Sequence, residues 1–184
     1  MSSFRQARRS SLVRENRTLT SLAVSIPPMP LHIDVNHKQY YILDIIECMA
    51  NSDNVIRAGL TPKLRDIPNL VKTLTYAAAP ASRHVVKPLP FSASLASTLY
   101  DPPITEFSVV NTILTPGQSE GHREIDGPSI ALIASGKGKL QWPNGTLDVV
   151  RGEAIFVGAN TAIDFFAAGD EGEKLEIYRA FVEV

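Results

Sequence analysis

The chain has 184 residues, 44% of them hydrophobic, and a formal net charge of −1 at pH 7. That length allows one substantial core, or one complete domain with a piece of another. The near-neutral balance gives no global basis for binding nucleic acid or a membrane surface, and a single cysteine, Cys48, excludes an intrachain disulfide framework and points to a reducing compartment.

The first seventeen residues carry Arg5, Arg8, Arg9, Arg14 and Arg17 against one acid, Glu15. Residues 1–33 are therefore read as an unassigned leader without structure. Its composition suits either a basic tail in the cytoplasm or a mitochondrial presequence. The apolar run Leu19 to Ile26 is too short to span a bilayer and ends at Pro27, Pro28 and Pro30.

Folded protein is expected from residue 34. Tyr40 to Met49 is rich in β-branched and aromatic residues, as a buried strand requires. In Thr61 to Tyr76, apolar Leu64, Ile67, Leu70, Val71 and Leu74 recur at helical spacing, which predicts one amphipathic helix with Asp66 as its cap and Pro68 in its first turn. Residues 77–90, with three prolines, read as a linker. Beyond it, residues 91–184 present a series of short strands: Ile104 to Leu114, Ser129 to Ala134, Gly138 to Trp142, Thr146 to Val150, Ala154 to Val157, Ala162 to Phe166 and Lys174 to Val184. Glycine, proline and asparagine turns separate them. The predicted fold class is mainly β, an antiparallel sandwich or jelly roll in the C-terminal part.

The chemistry-bearing residues concentrate in DIIECMANSDNVIRAGLTPK, residues 44–63. There a strand-like run carries Glu47, a polar turn carries Asp53, and a second short run delivers Arg57 and then Lys63, a pattern suited to a polar cleft lined from strand ends. Cys48, inside the apolar run, reads as packing and not as a nucleophile. The histidines His32, His37 and His84 are scattered, and neither an H-x-H pair nor an H-E-x-x-H motif occurs. His122, followed by Glu124, is read as loop decoration after Pro116-Gly117. There is no P-loop and no G-x-S-x-G elbow.

The words ECMANSDNVIRAGLTPK, LTY at 74–76, YDPPITEF at 100–107, DGPSI at 126–130 and YRAF at 178–181 together resemble the type I mannose-6-phosphate isomerases. The resemblance runs from about Asp44 to the C-terminus and covers the C-terminal part of that family. It implies a C-terminal cupin or jelly-roll domain (91–184), preceded by part of a catalytic cupin domain (34–76) that includes the helix. It also implies an enzyme interconverting mannose 6-phosphate and fructose 6-phosphate, in mannose metabolism and GDP-mannose supply, on a zinc ion. Arg57 matches a catalytic arginine, and Lys63, Glu47 and Asp53 match substrate-side positions. For Glu47 and Asp53, fixing the turn and orienting Arg57 is an equal alternative.

On the metal side the resemblance implies loss. Three of four family zinc ligands have no counterpart here, and Lys38 stands at the fourth. His37, one residue away, reaches that position only through a one-residue slip, which turns a strand side chain to the opposite face. A protonated Lys38 would repel zinc. The chain is therefore expected to be inactive alone and not to bind zinc by itself. The competing reading is a non-catalytic cupin module that binds a sugar phosphate or a protein partner. Self-association through the edges of the partial domain is a further expectation.

Overall fold

A computed structural model describes residues 21–25, 29–30, 41–42, 45–49, 65–74 and 78–183. The chain divides into two compact units, Met1–Val85 and Val86–Val184.

In the first unit, β1 (Ser21–Ser25) pairs antiparallel with β4 (Ile45–Met49), and β2 (Met29–Pro30) with β3 (Tyr41–Ile42). The expectation of a leader without structure through residue 33 thus gives way at Ser21–Ser25 and Met29–Pro30. The apolar run that was too short for a membrane has the length and alternation of a strand and finds an antiparallel partner. Within the strand expected over Tyr40 to Met49, the described residues form β3, which pairs with β2, and β4, which pairs with β1.

The helix α1 covers Ile67–Thr73, shorter than the period suggests. Asp66 caps it as expected, accepting from the backbone N–H of Asn69 at 3.2 Å and from its side-chain amide at 2.6 Å, and Pro68 lies in the first turn. Leu74 is already extended and ends the helix. The helix buries none of its side chains: Ile67 is 49% and Val71 47% exposed. The stretch read as a linker holds one 3-10 turn, Ala81–His84.

The second unit begins with two short strands, β5 (Leu89–Pro90) and β6 (Ser97–Tyr100). Then come β7 (Ser108–Leu114), β8 (Ser119–His122), β9 (Ser129–Ser135) and β10 (Lys137–Trp142), followed by β11 (Gly145–Val150), β12 (Ala154–Val157), β13 (Ile163–Ala168) and β14 (Leu175–Phe181). They form two antiparallel sheets, ordered β12-β9-β14-β7-β6-β5 and β11-β10-β13-β8. Most connections cross from one sheet to the other, which makes the unit a jelly roll and confirms the mainly β class.

Alternation fixes what faces inward. In β13, Ile163, Phe165 and Ala167 are buried while Asp164, Phe166 and Ala168 are exposed. The core takes Leu114, Ala131, Ile133, Leu175 and Ile177 from the larger sheet and Leu140, Val149, Ile163 and Phe165 from the smaller. A second cluster of Val110, Ile125 and Phe181, with Phe91 and Leu99 against it, forms a further part of the core. Gly138 on β10 is required by close approach, since a Cβ there would meet the Phe166 carbonyl oxygen at 2.2 Å.

Candidate functional site

The two units place the expected site residues very differently. Glu47 lies on β4 opposite Ala23 and is exposed. Its neighbour Cys48 is partly buried, and burial pushes its thiol up, which suits packing and not nucleophilic chemistry. Asp53, Arg57, Lys63, His37 and Lys38 lie outside the described residues.

His122 corrects its expected place in a loop. It ends β8, paired with Ile163 of β13, and is only 2% exposed. The sequence Ser-Glu-Gly-His has little strand propensity of its own, so the edge of β13 imposes the strand. Within it the period of two sends Glu120 and His122 inward together. Glu124, beyond the strand, is exposed beside a half-open cleft of about 480 Å³ that Trp142, Phe156 and Asn160 also line.

Around His122 the interior is polar. Its Nε2 lies 3.0 Å from the Thr112 hydroxyl and 3.3 Å from that of Ser97, and these two hydroxyls are 2.8 Å apart. The ring meets Phe91 and Phe165 edge-on, with centroids at 5.1 and 5.2 Å. Burial, reinforced by the positive charge of Arg179 and opposed by Glu120, pushes His122 down to about 3. The imidazole is therefore neutral at physiological pH and too weakly basic for general-base work there.

Glu120 accepts hydrogen bonds from Ser92 and Ser94. Burial alone would raise its carboxyl, but the hydroxyls of Ser92, Ser94 and Ser97 outweigh that and hold it below the usual carboxylate range. The charge of His122 adds to this only where the ring is protonated.

Arg179, on β14, is fully buried, and its Nε donates to the Ser129 hydroxyl at 3.0 Å. Burial, with Arg123 nearby, lowers it to about 10, which leaves it charged at neutral pH. No signal in the sequence separates Ser97, Thr112 or Glu120 from ordinary surface residues, and Arg179 stands out only as part of the family word YRAF at 178–181. Its burial is traceable only from position, since Leu175, Ile177, Arg179 and Phe181 share the inward face of one strand.

Zinc does not fit the described residues. Among them no three His, Cys, Asp or Glu side chains stand close enough to hold a metal ion. The interior imidazole has Nε2 occupied by two hydroxyls and lies in the field of a buried cation, surroundings that oppose a second positive centre. Among the described residues, no helix is long and apolar enough to cross a membrane.

No protein-family model matches the chain. Mannose-6-phosphate isomerase of Cryptococcus neoformans is 50% identical over 141 residues, 76% of this chain and 32% of that protein. Mannose-6-phosphate isomerase of Schizosaccharomyces pombe is 43% identical over 145 residues, 77% of this chain and 34% of that protein. The chain belongs to the mannose-6-phosphate isomerase family and matches its C-terminal part. Solved structures agree with this. A lysine-to-alanine variant of phosphomannose isomerase from Salmonella typhimurium has a TM-score of 0.61 at 28% identity, covering 78% of this chain and 34% of that one. A zinc-bound mannose 6-phosphate isomerase has a TM-score of 0.60 at 28% identity, covering 78% of this chain and 34% of that one. The chain thus spans about a third of the length of the curated isomerases it matches.

Proposed function

We propose that this chain is the C-terminal portion of a mannose-6-phosphate isomerase and that, as it stands, it binds the sugar phosphate without isomerising it. The observation that carries the reading is the span of the match, about three quarters of this chain against a third of each relative. In the complete enzyme a zinc ion would polarise the substrate oxygens and ease removal of a carbon-bound proton. This chain's contribution is on the substrate side. Arg57 stabilises negative charge on the reacting sugar, and Lys63 attracts the phosphate. Glu47, exposed on β4, and Asp53 support them by binding substrate or by fixing the turn that presents Arg57.

Binding equal to ground and transition state yields affinity and no turnover, which is what this reading expects of the substrate side acting alone. The cytoplasm suits such an activity, and no nucleic acid or membrane is implied. The chain also self-associates in this reading, through the edges of the partial domain; separately, Phe156 and Ile130 of the second unit, cross-strand neighbours that are 72% and 53% exposed, add apolar surface.

Titration calorimetry with mannose 6-phosphate tests the substrate side. Saturable binding that weakens about tenfold or more in both Arg57→Ala and Lys63→Ala is expected. Binding untouched by either change, or no binding to the folded chain, would remove these residues from the site.

A further inference from the structure

The smaller charged system of the second unit is electrostatically incomplete. Arg179 is 0% exposed, and its single hydrogen bond goes to a neutral partner, Ser129. Its Nη1 is buried without an acceptor. Among the described residues no carboxylate pairs with it. Glu120 gives its two oxygens to Ser92 and Ser94, and Glu183 pairs with Arg123 at 2.5 Å. The charge that does act on Arg179 is another cation, Arg123. A guanidinium does not escape burial by losing its proton at neutral pH, so it calls for a negative partner.

His122 supplies an independent observation. It is 2% exposed and its Nδ1 is buried without a partner. When the Thr112 hydroxyl, at 3.0 Å, donates to Nε2, the proton of the neutral ring lies on Nδ1, which is then a second unmatched donor. The two residues border the same stretch of β7. Arg179 sits opposite Val110, and His122 is bonded to Thr112 two positions along the same inward face.

We propose that the interior of the second unit is a binding site for one small inorganic oxyanion of phosphate size, held by Arg179 with Ser129 and by the Nδ1–H of His122. Two donors and an uncompensated positive charge match an oxyanion in sign and in hydrogen-bonding sense. Arg179 is fully buried, which favours a small free anion over one carrying a sugar. The proposal does not depend on the isomerase reading.

The test is thermal unfolding of the full chain with inorganic phosphate titrated against potassium chloride at equal ionic strength, which removes general salt effects. A saturable rise in Tm is expected, roughly 3 to 6 °C at about ten times the dissociation constant. Arg179→Met should weaken the apparent affinity about tenfold or more. If that variant does not fold, Arg179→Lys, which keeps the charge but loses the fork, should show a smaller weakening in the same direction. Absence of a saturable phosphate response in the unaltered chain overturns the proposal, as does a response undiminished in the Arg179 variants. A response to mannose 6-phosphate that depends on Arg179 where inorganic phosphate gives none also overturns it, because the enclosed site would then be open.

Discussion

His122 couples folding to acidity. Its folded value of about 3 lies below its ordinary 6.5, so between these limits the unfolded chain takes up a proton that the folded chain refuses. The stability is therefore fully present above about pH 6.5 and falls by about 1.4 kcal/mol per pH unit as the pH drops toward 3. Denaturant unfolding at pH 7.5 and pH 5 should show about 2 kcal/mol lost through this residue. The variant His122→Phe fits between Phe91 and Phe165 and leaves Ser97 and Thr112 bonded to each other, and it should lack that component. Parallel pH profiles for the two proteins would show that His122 is not the buried neutral group described. Thr112→Val removes the hydroxyl that bonds both His122 Nε2 and Ser97. It leaves Nε2 with the longer contact to Ser97 alone and should cost about 1 to 3 kcal/mol at pH 7.5.

Among the strands, β14 joins the larger sheet together, pairing with β7 on one side and β9 on the other. Ile177, at 0% exposure, faces the core from it, and Ile177→Ala should cost about 2 to 5 kcal/mol in denaturant unfolding. The cap of α1 provides the contrast. Asp66→Ala removes a hydrogen bond worth about 0.5 to 2 kcal/mol from a helix that buries none of its side chains, so only local helicity should change. Strands β9, β10, β13 and β14 were legible because their core residues recur at every second position, and β11 and β12 because glycine-bearing turns bound them. Strand β8 was not, since Ser-Glu-Gly-His becomes a strand only by pairing with β13. The interior cluster was illegible for a related reason: a histidine or arginine carries no mark of burial until the opposite sheet covers it. The helix was found with its cap and proline in place, but its period promised a buried face that the structure leaves exposed at Ile67 and Val71.

At the scale of the whole chain, the proposed reading keeps the homology and gives up the turnover. Half the aligned residues are identical to those of one isomerase, yet the match spans a third of that protein, and the described residues offer no zinc site. The proposed reading also includes self-association, through the edges of the partial domain and the exposed Phe156 and Ile130 of the second unit. Size-exclusion chromatography should show a concentration-dependent shift that Phe156→Ser reduces, while a monomer at every concentration would remove that part of the account. The central claim is that this chain carries the isomerase lineage without its catalysis. The direct measurement is a coupled assay for fructose 6-phosphate formed from mannose 6-phosphate by the purified, folded 184-residue chain in saturating zinc. The account predicts no rate above the protein-free control, and a zinc-dependent rate abolished by Arg57→Ala would contradict it.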